Sequence, residues 1–315
     1  MRSTDHTLNI ILVSFLLTML VLVGATSPGE ESVKDALDRR IFALPSSASA
    51  EALAYIERNG AVNEPVIDAS SALVVDITAN APLFSFLSDV KRPIASLTKL
   101  LTAAVVLERA GPNDAVRISE YAVSREGNTG GLYVGETLSV DTLLHAMLLE
   151  SSNDAAAALA EYVSSTTEPK AFALLMNKKA DSIGLYNSYF AEPAGLNDTE
   201  SASTAADVAR LAEYLRENPE YSRVWEVLAK KEAVFQSLDG RITHNFITNN
   251  SLIGEIGGLI GGKTGYTDSA GGSLVLVVAS PDKTRELVYV ILDSNDRFGD
   301  ARKLINWVSS AYLWK

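Results

Sequence analysis

The chain has 315 residues, 47% of them apolar and 21% charged, a globular composition long enough for one large domain or two small ones. A formal net charge of −12 lacks the basic footprint that nucleic-acid binding needs, and the absence of cysteine rules out disulfides, thiolate zinc sites and cysteine nucleophiles. Of the three histidines, His6 lies at the extreme N-terminus, so a Ser-His-Asp triad would have to use His145 or His244; no paired-histidine spacing points to a metal hydrolase, and no metal or cofactor is expected.

Leu8 to Val23 is an apolar run broken only by Asn9, Ser14 and Thr18, with Arg2 before it and Glu30-Glu31 after it. It reads either as a signal peptide cleaved after Val23-Gly24-Ala25 or as an uncleaved anchor with Arg2 inside. Both readings export the rest of the chain to the cell envelope. Residues 1–25 are therefore expected to be a leader or anchor, 26–60 a spacer with Ser-rich pieces, and 61–315 one domain. Ser71–Asp76 predicts a buried strand and Leu83–Phe86 its hairpin partner. A helix is expected to open at or just before Ser96, after Arg92-Pro93, and to run to Glu108-Arg109. Glycine-rich residues 116–138 predict loops and short strands. Val140–Glu150, Asp154–Val163, Phe172–Ile183 and Thr204–Asn218 predict helices. Gly272–Ser280 and Glu286–Asp293 predict an antiparallel hairpin, followed by a helix from about Asp300 to Trp314. Strands at both ends with helices between them imply an α+β fold: an antiparallel sheet flanked by helices, with an inserted all-helical subdomain.

Three short motifs carry chemistry. In Ser96-Leu97-Thr98-Lys99, the hydroxyl and the amine lie one helical turn apart, the spacing of an activated serine. Ser151-Ser152-Asn153 connects two apolar helices; it reads either as a helix cap or as a hydroxyl and an amide aimed into a cleft. Gly262-Lys263-Thr264-Gly265-Tyr266 places a lysine in a glycine-flanked strand edge that a ligand can approach closely; it does not have the spacing of a phosphate loop. The order Ser-x-x-Lys, Ser-x-Asn, Lys-Thr-Gly is the set described for serine β-lactamases and penicillin-binding proteins.

With these motifs, residues from about Pro65 to Trp314 resemble the low-molecular-mass D-alanyl-D-alanine carboxypeptidases, the penicillin-binding serine peptidases of peptidoglycan. Met176-Asn177, Phe190–Leu196, Ser203-Thr204-Ala205, Asn249-Asn250-Ser251-Leu252 and Ala270-Gly271 extend the likeness. Ser152 stands where the family often has glycine. Many relatives also carry a second, all-β domain and a C-terminal amphipathic anchor; here an N-terminal anchor is expected in their place.

The resemblance implies a D,D-carboxypeptidase acting through an acyl-enzyme, with peptidoglycan stem peptides and β-lactams as ligands and membrane contact through the N-terminal segment. Ser96 would be the nucleophile and Lys99 its base, kept neutral by partial burial and by the like charge of Lys263. Ser151 would relay the proton to the leaving amine, and Asn153 would hold the stem-peptide amide. The backbone N–H groups of Ser96 and Tyr266 would form the oxyanion hole. Lys263, Thr264 and Gly265 line the strand that binds the terminal carboxylate. Arg297 joins them by resemblance alone; a surface arginine of the last helix is its other reading. A class A β-lactamase needs a glutamate to activate the deacylating water, and the spacing of Glu192 to Leu196-Asn197 is one residue too long, so Glu192 is read as a loop residue without a catalytic role. A D,D-endopeptidase and a non-catalytic penicillin or peptidoglycan sensor are the remaining alternatives.

Overall fold

The computed structural model describes residues 56–196 and 199–314. The proposed leader and nearly all of the proposed spacer lie outside the described residues. The chain joins the folded body before residue 60: Arg58 bridges Tyr312, Asn59 N–H donates to Ala311 O, and Leu313 N–H donates to Glu57 O. The compact unit carrying these residues spans Ala52–Lys315.

Its centre is a five-stranded antiparallel sheet in the order β2-β1-β9-β8-β7. The strands are β1 (Ser71–Asp76), β2 (Ala81–Phe86), β7 (Leu259–Thr267), β8 (Gly271–Ala279) and β9 (Glu286–Ser294). The first two and the last three come from opposite ends of the domain, as expected. The apolar runs of β8 and β9 are continuous because both faces of the sheet are covered. Leu274, Leu276, Leu287, Tyr289 and Ile291 face the C-terminal helix α8 (Arg297–Ala311), against Leu304, Trp307 and Val308. The alternate residues Val275, Val277, Val288 and Val290 face the main core.

That core is built around α1 (Lys99–Leu107), buried on every side from Lys99 to Val106. Around it lie α3 (Val140–Leu149), α4 (Asn153–Ser164), α5 (Pro169–Ile183), α6 (Ala205–Glu217) and α7 (Ser222–Leu228). Ser139, Ser152 and Thr204 cap α3, α4 and α6, each side chain accepting a backbone N–H, for about 1 kcal/mol apiece. The insertion departs from the all-helical expectation. Besides the short α2 (Glu120–Val123), it carries two β ribbons, β3 (Ala115–Arg117) with β4 (Thr137–Ser139) and β5 (Glu232–Gln236) with β6 (Thr243–Ile247). The final helix starts three residues before the expected Asp300, because Asp296 caps it by accepting Gly299 N–H. Among the described residues, no helix is long and apolar enough to cross a membrane.

Candidate active site

Ser96 lies in a 3-10 turn, Ala95–Thr98, that leads directly into α1. Ala95 is held at φ 48, a left-handed conformation costly for a residue with a Cβ. Two neighbours grip the turn. A Cβ on Gly195 would sit 2.0 Å from Ala95 O, an approach that requires glycine, and one on Gly265 would sit 3.1 Å from Ser96 N, a tight fit to which the turn would have to yield.

Lys99, the first residue of α1, is fully buried. Its Nζ lies 2.8 Å from Ser96 Oγ, 2.8 Å from Asn153 Oδ1 and 2.6 Å from Ala194 O. The orientation of Asn153 is fixed by its own amide, which donates to Glu126 O at 2.7 Å and so turns Oδ1 toward the lysine. Burial lowers the Lys99 amine to about 7, against the opposing pull of the Glu192 and Asp154 carboxylates. Lys263, also fully buried, is pushed well below its usual range by burial, then by Lys99 and Arg297. Desolvation is the largest cause at both amines, and the mutual repulsion of the two cations disfavours charging both at once.

The Ser151-Ser152-Asn153 connection carries both of its readings at once. Ser152 caps α4, while its neighbours Ser151 and Asn153 face the lysines. Ser151 is held at φ 64, and its Oγ accepts from Lys263 Nζ at 2.8 Å. Lys263 also donates to Thr264 O at 2.9 Å. β7 is an edge strand, so alternate backbone groups along its outer side have no partner strand. Tyr266 stands 62% exposed at its end. Arg297, at the first position of α8, is half-buried. Burial lowers its guanidinium, which lies 3.2 Å from the place a Cβ on Gly272 would take, and its Nε has no hydrogen-bond partner. The two histidines of the domain serve elsewhere. His145 sits against Asp141 O and Lys230 Nζ, and His244 against the Glu136 carboxylate.

Three supports had no role in the sequence reading. Asp154 accepts from Gly130 N–H and Leu132 N–H and so fastens the 126–132 loop behind Asn153. Asn249 accepts from the Thr264 hydroxyl, its N–H donates to Leu149 O, and its amide to Glu150 O, tying the lysine strand to the Ser151 connection. Glu192 is buried rather than an idle loop residue: it accepts from Ala194 N–H at 2.9 Å and Leu196 N–H at 2.6 Å. The acidic residue ahead of Pro193 and Gly195 is plain in the sequence; its burial is not.

Comparison with known proteins gives the same reading. The model of the D-alanyl-D-alanine carboxypeptidase family matches residues 58–296. A D-alanyl-D-alanine endopeptidase of Escherichia coli K12 is 32% identical over 256 residues, 79% of this chain and 79% of that protein. One from Pseudomonas aeruginosa is 32% identical over 284 residues, 87% of each chain. The crystal structure of a D-alanyl-D-alanine carboxypeptidase from Mycobacterium tuberculosis H37Rv superposes with a TM-score of 0.72 at 28% identity, covering 80% of this chain and 95% of that one. The chain belongs to the D-alanyl-D-alanine carboxypeptidase family of serine peptidases.

Proposed function

We propose that the chain is a D,D-carboxypeptidase that removes the terminal D-alanine of peptidoglycan stem pentapeptides through a Ser96 acyl-enzyme. The observation that carries this is the set of partners of Lys99 Nζ. A neutral amine has two N–H groups and one lone pair. Asn153 Oδ1 and Ala194 O are pure acceptors and take both N–H groups; the lone pair is left for Ser96 Oγ–H, 2.8 Å away.

Ser96 Oγ attacks the carbonyl between the two D-alanines as Lys99 takes its proton. The Ser96 and Tyr266 N–H groups receive the oxyanion, worth a few kcal/mol if preorganised. Ser151, whose Oγ accepts from Lys263, relays the proton: it gives its own to the leaving amine and takes from Lys99 the one that came from Ser96. Asn153 holds the stem-peptide amide. The terminal carboxylate binds at Lys263, Thr264 and the Gly265 backbone, and Arg297, whose charge is felt at Lys263, adds to the pull on the same anion. That anion favours the protonated form of Lys263 and so restores the charge that burial removes. Water then hydrolyses the ester. Both oxygens of Glu192 are occupied by backbone N–H groups, which disfavours a lactamase-type activation of water. Penicillin is expected to add its mass to the peptide containing Ser96, and Ser96→Ala to lose the adduct; covalent labelling of Ser96→Ala would refute the assignment.

The endopeptidase reading is favoured by one observation: the E. coli and P. aeruginosa relatives carry that name. Incubation with a pentapeptide and with cross-linked muropeptides separates the two. Penicillin-sensitive D-alanine release from the pentapeptide supports the main reading, and cleavage of the cross-link alone replaces it. Both substrates lie outside the cytoplasm. The Leu8–Val23 run after Arg2 supports export through an N-terminal signal or anchor, with the residues from 26 to the start of the folded body as spacer. Fractionation of cells expressing the full chain checks this, and a cytoplasmic pool would count against it.

A further inference from the structure

We infer that Glu192 is a positioning residue for Lys99: its buried carboxylate folds the 192–196 turn so that Ala194 O takes one amine N–H and the lone pair is left to face Ser96. The inference rests on the reading of Lys99 as the base of acylation.

The turn is fixed from three sides. Glu192, 7% exposed, closes it from within by accepting the N–H groups of Ala194 and Leu196. Thr102, one turn along α1 from Lys99, donates its hydroxyl to Pro193 O at 2.7 Å. Gly195 lies against the Ala95 carbonyl. Between these anchors Ala194 O is presented to Lys99 Nζ at 2.6 Å. Without that acceptor one amine N–H has no committed partner. The amine can then rotate and offer Ser96 a hydrogen in place of its lone pair.

The charges facing Lys99 come from three elements: Glu192 from the turn, Asp154 from α4 and Lys263 from β7. Burial favours the neutral amine, and Glu192 is the larger of the two anions that oppose it. Removing the Glu192 charge therefore lowers the pH at which the amine deprotonates. Asp154 remains as the second anion, committed to the 130–132 backbone.

The test is the pH dependence of penicillin acylation of the full chain, measured on the wild type, Glu192→Gln and Glu192→Asp. The wild type should show a limb rising through about pH 7, matching Lys99. Glu192→Gln keeps an acceptor but no charge, and its limb should move down by about one unit. Glu192→Asp keeps the charge on a shorter arm; its midpoint should stay in place while the rate falls at least several-fold. A purely structural role would lower the rate and leave the Gln midpoint where it was, and that result overturns the inference. Should Glu192→Gln not fold, the Asp variant decides, and a wild-type rate there overturns it too. A wild-type profile with no limb near neutrality refutes Lys99 as the base, a distinct failure that needs no variant.

Discussion

Lys99→Met is expected to lose activity and gain stability. Acylation by penicillin should fall about a hundred- to ten-thousand-fold, the usual contribution of a positioned base. Stability should move the other way because the native state holds the amine at about 7, against 10.5 for a solvated lysine. The unfolded chain therefore binds more protons than the folded one between pH 7 and 10.5, and wild-type stability rises with pH across that window. Below pH 7 the penalty is full, on the order of 5 kcal/mol from this one group. Methionine fills nearly the same volume without a charge. It strands Asn153 Oδ1 and Ala194 O, which returns a few kcal/mol. The net gain is expected to be on the order of 1–3 kcal/mol at pH 6 and to shrink toward pH 10. Removing Lys99 also removes a cation that faces Lys263, which adds to the gain. Urea unfolding of both proteins at pH 6 and pH 9.5 measures the gap. A variant less stable than wild type at pH 6, or a gap that widens with pH, would show that Lys99 is not held against its charge.

The opposite signs follow from how the site is built. A neutral amine beside a serine can exist near neutrality only where water is excluded, and α1 is the one helix of the core buried on all sides around such a group. The fold carries that cost in its apolar mass, the two-faced sheet and the helices that enclose α1.

How much of this was legible in the sequence depended on whether a feature was local. β1 and the helices α3 to α6 fell within a few residues of their expected limits, because apolar spacing and capping residues are written in the segment itself. The short strands β3 and β4 fall at the two ends of the expected 116–138 segment, whereas the β5–β6 ribbon and α7 have no counterpart in the sequence pattern. Ser222–Leu228 is only seven residues long, and β5 and β6 are mixed polar and apolar segments whose pairing is a tertiary matter. The same division holds at the site. The three motifs could be named because each is contiguous, and the fold pairs them across the site, Lys99 with Asn153 and Lys263 with Ser151. The contributions of Glu192, Asp154 and Asn249 are contacts made by loop residues to distant backbone, and no local pattern announces them. Repulsion between the lysines follows from the motifs, whereas the completeness of their desolvation depends on packing.

Gly195→Ala should be among the most damaging single-methyl changes in the domain. Its φ of +79 costs an alanine on the order of 1–2 kcal/mol. The new Cβ would also lie 2.0 Å from Ala95 O and 2.5 Å from Ala95 C. Both are backbone atoms, so no rotamer change relieves the clash, and either the 192–196 turn or the nucleophile turn must move. Moving the first withdraws Ala194 O from Lys99; moving the second displaces the peptide before Ser96. Gly240→Ala separates strain from clash. Gly240 has φ +71 with nothing within 4 Å of the added methyl, so only the backbone cost applies. Thermal unfolding and penicillin acylation are expected to show Gly240→Ala losing about 1 kcal/mol with near-normal acylation. Gly195→Ala should lose more than about 4 kcal/mol, or at least a hundredfold in acylation where the chain still folds. Equal behaviour of the two variants would mean that the 192–196 turn does not press on Ala95, and the nucleophile would need another account of how its strained turn is held.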